Sequence, residues 1–308
     1  MSACVERKIN AKIIGASMRI LVTGSSGRIG RAIYARLSRA HTVKGLDRSP
    51  SSTTDFVGDV GDQALLSKAL DSMDAVIHSA ALHAPHVGLL PDSEFQRINV
   101  QATRMLAECA RQAGVSRFIF TSTTALYGAA ATQTQQAAWV NEALEPQPRT
   151  IYHASKIAAE RLLEKFSQQY AIPVTVLRMS RCFPEPAPMM AAFRLHRGVD
   201  ARDVADAHAL AVELALPGFR KYIISGTTPF QEADAGELVS DAPAVLARRA
   251  PDLVLAFASR KWPLPTSIDR VYSSALANAE LGWMPKYNFM EVLKMLDEQS
   301  SQVRHLAT

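Results

Sequence analysis

A tyrosine and a lysine stand four residues apart in the sequence Tyr152-His-Ala-Ser-Lys156. In a helix this spacing is about one turn and brings the phenol and the ammonium to the same face. An isolated phenol has a pKa of about 10, which is too high for a base near neutral pH. A neighbouring ammonium favours the phenolate and lowers that pKa, so the pair predicts a tyrosine that exchanges a proton with a substrate. The same spacing arises often by chance, and the alternative is a half-buried helix residue without chemistry.

A glycine-rich run, Thr23-Gly-Ser-Ser-Gly-Arg-Ile-Gly30, lies far upstream of this pair. Its glycines at 24, 27 and 30 separate an apolar, β-branched run (18–23) from a helical pattern (31–37). At such a turn the backbone N–H groups and the positive end of the helix can meet a pyrophosphate. Together with the Tyr–Lys pair, the run predicts an enzyme that binds a dinucleotide and transfers a hydride.

Asp47 ends the predicted second strand, and Asp59-Val60 lies where a further short strand would end before the strand at 74–78. Asp47 stands where a carboxylate accepts hydrogen bonds from the adenosine ribose and repels a 2′-phosphate, which favours NAD. Arg48 can instead pair with that phosphate or stack on adenine, so NADP stays open. The alternative for Asp47 is a loop cap. Asp59 either accepts from the adenine amino group or is a solvated turn residue.

Strand and helix patterns alternate from residue 18 to about 178. Such alternation predicts an α/β fold of Rossmann type, a doubly wound parallel sheet. After 178 prolines crowd the chain, which predicts a smaller C-terminal substrate lobe. We therefore expect an N-terminal extension (1–17), a dinucleotide-binding domain (18–178) and a substrate-binding lobe (179–308), with a helix from about 203 to 216 that packs back on the Rossmann core. The predicted strands are 18–23, 42–47, 74–78, 117–122, 173–178 and 222–225, and the other predicted helices are 28–40, 61–71, 92–113 and 152–170.

Composition restricts the class of protein. The 308 residues are 48% hydrophobic and 20% charged, which is typical of a folded globular chain. No apolar run approaches the roughly 18–20 residues of a membrane span. The net charge of +5 favours anionic ligands, but the basic residues are scattered among acidic ones, so no nucleic-acid partner is expected.

Cysteine and histidine usage argues against a disulfide framework or a metal centre. The three cysteines are widely spaced, which fits a reducing, cytoplasmic compartment. His78, His83 and His86 match no usual ligand spacing, so no metal is expected. The segment 1–17 carries charges and no continuous apolar stretch, which makes it a poor signal peptide.

Taken together, these motifs resemble the extended short-chain dehydrogenase/reductases, the NAD-dependent epimerase/dehydratase family. The resemblance covers nearly the whole chain from Met18. The matching segments are Thr-Gly-x-x-Gly-x-x-Gly at 23–30, Asp59-Val60, His78-Ser-Ala-Ala81, Asn99-Val100, Thr121-Ser-Thr-Thr-Ala-Leu-Tyr-Gly128, Tyr152-x-x-x-Lys156, Leu177-Arg178, Arg202-Asp-Val-Ala205 and Glu280-Leu-Gly-Trp-Met-Pro285.

The resemblance implies roles for particular residues. Thr123, with Thr124 as its substitute, would hold the substrate oxygen, Tyr152 would take its proton while a hydride leaves for NAD⁺, and Lys156 would also bond the nicotinamide ribose. A homodimer is expected. The residues expected to contact the cofactor are Gly24, Ser26, Gly27, Arg28, Ile29, Gly30, Asp47, Arg48, Asp59, Val60, Ser79, Ala80, Ala81, Asn99, Tyr152 and Lys156.

Departures from the family pattern indicate which of the family's reactions the chain catalyses. Dehydratase members place an Asp-Glu pair after the catalytic threonine, whereas here Thr124-Ala125 follows. The stretch Cys182-Phe-Pro-Glu-Pro186 and the short segment before Asp203 are similar to uronate dehydrogenases, which oxidise a free sugar acid.

We therefore expect an oxidoreductase acting on a carbinol of a small polar, sugar-like substrate. Arg194 is the candidate for a substrate carboxylate, because a guanidinium offers two parallel hydrogen bonds. Arg181 competes for that role, His83 is a further substrate candidate, and a solvated basic helix end is the alternative for Arg194. The other functions considered are a nucleotide-sugar 4-epimerase and a catalytically silent NAD(P)-binding regulatory protein.

Overall fold

The computed structural model describes residues 17–132, 135–299 and 303. The predicted extension therefore lies outside the described residues, apart from Ser17. The strands are β1 (Arg19–Thr23), β2 (Thr42–Asp47), β3 (Phe56–Val57), β4 (Ala75–His78), β5 (Arg117–Thr123), β6 (Ala138–Val140), β7 (Val174–Met179), β8 (Phe219–Ile224) and β9 (Arg270–Tyr272). The α-helices are α1 (Arg28–Leu37), α2 (Gln63–Ala69), α3 (Asp92–Phe95), α4 (Ala102–Gln112), α5 (Ile151–Tyr170), α6 (Ala187–Phe193), α7 (Ala201–Leu214), α8 (Ala235–Ser240), α9 (Ala242–Arg249), α10 (Pro251–Ser259), α11 (Ala275–Leu281) and α12 (Phe289–Asp297).

Seven strands form one sheet in the order β3-β2-β1-β4-β5-β7-β8. β1 pairs in parallel with β2 on one side and β4 on the other, so the winding reverses beside β1. Ile20, Leu21 and Val22 are fully buried, as expected of a parallel strand that is covered on both faces. The predicted fold class is confirmed. In open α/β sheets the point of reversal is where ligands bind, at the carboxyl ends of the strands.

Several element boundaries differ from the sequence prediction. The helix predicted over 61–71 begins at Gln63, because the Asp62 carboxylate accepts from the N–H groups of Ala64 and Leu65 and caps it there. The helix predicted over 92–113 consists of α3, a π-helical segment over Gln96–Gln101, and α4.

The chain folds into two compact units, each made of three stretches. The first comprises Met1–Thr121, Ala158–Val176 and Ala205–Arg220, and the second comprises Ser122–Ile157, Leu177–Val204 and Lys221–Thr308. The division of the chain at residue 178 stays a prediction from the sequence.

Each compact unit has its own apolar core. In the first unit the sheet and its helices bury Leu21, Val76, Leu106, Phe118 and Leu163 against one another. In the second unit helices α6 and α8–α10 with α12 bury a separate cluster, which includes Met190, Leu238, Leu246, Leu253 and Val292. Among the described residues, none of the helices combines the length and the apolar character that a membrane span requires.

Candidate active site

The Tyr–Lys pair lies at the start of α5, within the second unit. The helix begins behind Thr150, whose Oγ1 accepts from the His153 N–H at 3.3 Å, a usual N-terminal cap. Tyr152 is therefore in the first turn and Lys156 in the next. Their exposed fractions are 8% and 3%, so both polar side chains are held inside the protein.

Thr123 lies at the carboxyl end of β5, and its side chain hydrogen-bonds the phenol of Tyr152. Its Oγ1 also accepts from the Ala125 N–H at 3.1 Å, which begins the 3₁₀ turn Thr124–Tyr127. Thr124 is buried. The structure thus brings Thr123 and Tyr152 together, as two hydroxyl groups that can both bond one substrate oxygen.

Burial dominates the electrostatics of Tyr152. Burial raises the pKa of its phenol to about 12, and the hydrogen bond with Thr123 opposes this only in part. Removing a phenolate from water costs more than this contact returns. The lowering expected from the Lys156 ammonium together with the positive nicotinamide of bound NAD⁺ stays a prediction. A proton-accepting Tyr152 needs additional positive charge beside it.

The glycine-rich turn lies in the first unit. Gly24 has φ +73°, and a Cβ at this position would lie 2.6 Å from the Ala80 nitrogen. A Cβ on Gly30 would lie 2.0 Å from the Gly24 carbonyl oxygen. Gly27 caps α1 without a side chain, so the first-turn N–H groups of Arg28 and its neighbours Ile29 and Gly30 are open to an anion. The backbone of residues 24–30 therefore forms a cradle that fits a dinucleotide pyrophosphate.

Asp47 ends β2 and bonds two backbone groups. Its Oδ2 accepts from the Ser26 N–H of the glycine-rich turn at 3.1 Å, and its Oδ1 accepts from the Ser49 N–H at 2.9 Å. Asp47 thus caps a loop, which was the alternative to ribose binding. The same hydrogen bonds fix its carboxylate beside the glycine-rich turn. Arg48 is exposed.

The carboxylate of Asp59 is hydrogen-bonded by Arg97, which was not predicted to be a site residue. This carboxylate accepts from the Gly61 N–H at 2.7 Å and from Nη1 of Arg97 at 3.0 Å. Burial acts to raise the pKa of Asp59, but these two bonds outweigh it and the pKa is lowered. Val60 packs in the core of the first unit. The three-residue spacing of Glu94 and Arg97 is a signal for their ion pair. No sequence signal shows that Arg97 also contacts Asp59.

The loop after β4 carries the other predicted cofactor residues, Ser79, Ala80 and Ala81. Ser79 donates from Oγ to the Thr23 carbonyl at 2.8 Å. Asn99 is buried in the π-helical segment, where its amide accepts from the Leu82 N–H at 2.8 Å and donates to the Leu82 carbonyl at 2.9 Å. Asn99 therefore fixes the end of this loop.

The predicted substrate residues lie in both units. His83 in the first unit packs edge-on against His86, with ring centroids 4.5 Å apart. In the second unit Arg181 donates from Nε to Glu185 at 2.7 Å. Arg194 is 2% exposed and donates from Nη2 to Asp200 at 3.0 Å.

Arg181 and Arg194 line one small cavity of the second unit, together with Cys182, Phe183, Glu185, Met190, Phe193, Gly198 and Val199. Nη1 of Arg194 is buried and has no hydrogen-bond partner among the described residues. A buried guanidinium nitrogen of this kind can donate to an acceptor that enters the cavity.

A doubly wound sheet whose first turn is a glycine-rich cradle defines a Rossmann-type dinucleotide-binding protein. The chain belongs to the NAD dependent epimerase/dehydratase family, whose model matches residues 20–190. This confirms the predicted family, the class of NAD-dependent enzymes and the cofactor of the family.

Relatives with established names cover different shares of the chain. An NAD-dependent glucose-6-phosphate dehydrogenase of Haloferax volcanii is 29% identical over 178 residues, which are 52% of this chain and 67% of the relative. A dTDP-glucose 4,6-dehydratase of Streptomyces antibioticus is 28% identical over 316 residues, covering 89% of this chain and 90% of the relative.

Solved structures share the fold along most of the chain. A UDP-glucose 4-epimerase of Thermus thermophilus, in complex with NAD, is 25% identical with a TM-score of 0.65 and covers 90% of this chain and 97% of its own. A dTDP-glucose 4,6-dehydratase of Streptomyces venezuelae with NAD bound is 22% identical with a TM-score of 0.67, over 90% of this chain and 94% of its own.

Proposed function

We propose that this chain is an NAD-dependent dehydrogenase that oxidises a carbinol of a small polar, sugar-like substrate, and that the substrate is a sugar acid. The observation that carries this proposal is the hydrogen bond between Thr123 and Tyr152, with Lys156 one helical turn along the same buried face. A regulatory protein without activity has no need of all three side chains.

In the proposed reaction the substrate hydroxyl hydrogen-bonds Thr123 and Tyr152. Tyr152 accepts the hydroxyl proton as the carbon–oxygen double bond forms, and Thr123 holds the oxygen in place. Bound NAD⁺ supplies the acceptor for the hydride that leaves the same carbon, together with a positive nicotinamide charge. That charge and the Lys156 ammonium both favour the phenolate. They would therefore lower the pKa of Tyr152 from the value of about 12 that burial gives it.

The choice of cofactor follows from Asp47. Its carboxylate is fixed by the Ser26 and Ser49 N–H groups at the end of β2. A 2′-phosphate beside it would meet like charge, so NAD is the proposed cofactor. Arg48 on the adjacent exposed position is the residue through which NADP would be accepted.

Two features favour oxidation of a sugar acid over the dehydration of a nucleotide sugar. Thr124 and Ala125 follow Thr123, so the acid and base that dehydration requires are missing from those positions. The segment between β7 and α7 is short, and it places Arg194 with a buried, unbonded Nη1 beside a small cavity. A carboxylate matches such a donor.

A second candidate function is that of a nucleotide-sugar 4-epimerase, which would use the same three residues and return the hydride to the opposite face. The likeness to the Thermus thermophilus UDP-glucose 4-epimerase over 90% of this chain favours it.

A substrate panel separates the two functions. Purified protein is incubated with uronic acids, aldoses and nucleotide sugars, each with NAD⁺ and with NADP⁺, while NAD(P)H absorbance is followed and the sugars are analysed by chromatography. Net NADH with a uronic acid supports the dehydrogenase. An epimerised nucleotide sugar without net NADH supports the epimerase and overturns the first proposal.

A further inference from the structure

A chain of buried polar side chains crosses the carboxyl ends of β1 and β4 in the first unit. Thr23, His78 and Thr103 are all fully buried. Oγ1 of Thr23 lies 2.7 Å from Nδ1 of His78, and Nε2 of His78 lies 2.9 Å from Oγ1 of Thr103. Both imidazole nitrogens are therefore hydrogen-bonded to threonine hydroxyls inside the protein.

The direction of these hydrogen bonds follows from their outer end. The Thr103 hydroxyl donates its single proton to the Asn99 carbonyl at 2.8 Å, so toward His78 it can only accept. His78 must then carry a proton on Nε2, and in the neutral ring Nδ1 is the acceptor for the Thr23 hydroxyl. The oxygen of Thr23 in turn accepts from the Ala80 N–H at 3.4 Å. Donation runs in one direction from Ala80 to Asn99.

We call the hydrogen-bonded series from Thr23 through His78 to Thr103 the relay. Each of its ends lies next to a backbone segment of the predicted cofactor site. Thr23 directly precedes Gly24, where a Cβ would already lie 2.6 Å from the Ala80 nitrogen. His78 directly precedes the loop that contains Ala80. Asn99, at the other end, holds Leu82 through two hydrogen bonds of its side-chain amide. The hydrogen bonds of the imidazole therefore connect these backbone segments through their buried side chains, beside the bonds that the N–H and Oγ of Ser79 donate to the Thr23 carbonyl at 3.2 and 2.8 Å.

We propose that His78 is a positioning residue for the dinucleotide, acting as the neutral Nε2–H tautomer that holds the glycine-rich turn and the Ser79–Leu82 loop at the spacing the cofactor needs. It acts through Thr23 and Thr103 and is not a catalytic residue. This inference rests on the proposed function only in taking NAD as the dinucleotide.

A matched pair of histidines tests the proposal. His78→Gln keeps a donor near the Nε2 position and loses the acceptor for Thr23. His208→Gln is the control, because His208 is also fully buried in the first unit and its Nε2 bonds the hydroxyl of Thr121 at 2.8 Å. We expect both variants to lower the Tm of the protein without cofactor. Only His78→Gln should raise the Kd for NAD⁺, measured by calorimetry, on the order of 10-fold, because a buried donor loses its partner beside the cradle.

Thr103→Val is the second variant and covers the case in which His78→Gln does not fold. It keeps the shape of the side chain, removes the acceptor for Nε2–H, and should raise the Kd for NAD⁺ in the same direction. The tautomer is read independently from imidazole ¹⁵N shifts of histidine-labelled protein, with His78 assigned by its loss in the variant.

Three results would overturn the inference. Equal Kd values for NAD⁺ in the two glutamine variants, or in Thr103→Val and the unchanged protein, would show that the relay only stabilises the fold. An Nδ1–H tautomer would contradict the direction of donation. Failure of the unchanged protein to bind NAD⁺ or NADP⁺ would instead overturn the proposed function, and this inference with it.

Discussion

At the scale of single residues, Tyr152 carries the proposed proton transfer. Tyr152→Phe removes the phenolic oxygen and leaves the helix intact, so turnover should fall by about 10²–10⁴-fold, the usual contribution of a general acid–base group. The Kd for NAD⁺ should change little. Steady-state rates and calorimetry measure the two effects, and Tyr170→Phe at the far end of α5 is the matched control. Near-normal turnover in Tyr152→Phe would assign the proton transfer to another group.

The carboxylate of Asp47 determines the proposed preference for NAD. Asp47→Asn removes the negative charge and keeps an amide oxygen that can accept from the Ser26 or Ser49 N–H. We expect kcat/KM to shift toward NADP⁺ by about 10-fold, since one charge contact of this kind is worth on the order of 1 kcal/mol.

Asp55→Asn is the control for Asp47→Asn, because Asp55 also accepts from a backbone N–H near β2, that of Gly45 at 2.8 Å. A loss of activity with both cofactors in equal measure would show that Asp47 acts only as a loop cap. An unchanged protein that already prefers NADP⁺ would make Arg48 the dominant contact.

Arg194 is the candidate for the carboxylate of the substrate. Arg194→Lys keeps a charge near Asp200 but loses the second guanidinium nitrogen, so KM for an acidic substrate should rise about 10-fold more than KM for its neutral analogue. Arg197→Lys, in the same segment, serves as the control. Equal changes for the acidic and the neutral substrate would remove carboxylate recognition from Arg194 and favour the epimerase.

The motifs singled out candidate site residues, but they did not predict what each residue contacts. Asp47 and Tyr152 were singled out by spacing alone. The pKa of Tyr152 was not predictable, because it depends on burial, which a local motif does not report. The contact of Thr23 with His78 was also invisible, because it joins residues 55 positions apart in the chain.

At the scale of elements, the glycine-rich turn and α1 form one close contact. A Cβ on Gly30 would lie 2.0 Å from the Gly24 carbonyl oxygen, whereas a Cβ on Gly236 in α8 meets no atom within 4 Å. Gly30→Ala should therefore lower the free energy of unfolding by about 1–3 kcal/mol through overpacking. Gly236→Ala should raise it by about 0.5–1 kcal/mol, because alanine loses less chain entropy in a helix. Urea denaturation measures both.

NAD⁺ affinity is the second measurement on the same two glycine variants. Gly30→Ala should weaken it, because backbone shifts at Gly24 disturb the cradle, and Gly236→Ala should leave it unchanged. A fully stable Gly30→Ala variant with normal NAD⁺ affinity would contradict the fit of this turn to a pyrophosphate.

Elements with strong local patterns were predicted well, and those that depend on distant partners were not. The pattern over 42–47 coincides with β2, and α5 differs from its predicted span by one residue. β3 has two residues, too few to show a period. β6 and β9 pair in parallel across 132 positions, Ala138 with Arg270, and no local pattern signals that contact. The π-helical segment over Gln96–Gln101 was not predicted from the helix periodicity of residues 92–113.

At the scale of the whole molecule, alternation of strands and helices predicted the doubly wound sheet, and the seven-stranded sheet of the structure confirms it. The division of the chain into its two compact units was harder to predict from the sequence. The stretches Ala158–Val176 and Ala205–Arg220 belong to the same unit as residues 1–121, and this mixing of distant stretches leaves no signal in composition. A homodimer stays a prediction from the family resemblance.

The stability of the whole chain should fall in acid because of His196 in the second unit. His196 is buried, with Nδ1 2.9 Å from the Arg270 carbonyl, and burial together with the charge of Arg197 lowers its pKa from 6.5 to about 3. Because the folded pKa is depressed, the unfolded chain binds the proton more readily below pH 6.5. The stabilisation that the neutral ring provides is therefore complete above pH 6.5 and is lost as the pH falls toward 3.

Urea denaturation at a series of pH values measures this contribution. Between pH 6.5 and about pH 4 the unchanged protein should lose about 3 kcal/mol more than His196→Asn, since each pKa unit corresponds to about 1.4 kcal/mol and asparagine cannot take up the proton. Asparagine can still donate to the Arg270 carbonyl, so the variant should fold at neutral pH. Parallel curves for the two proteins would show that His196 is protonated equally easily in the folded and unfolded chain. In that case the acid sensitivity of the fold would have to come from the paired carboxylates, such as Asp200 beside Arg194 and Arg202, whose pKa is lowered because the hydrogen bonds and charge of those arginines outweigh the effect of burial.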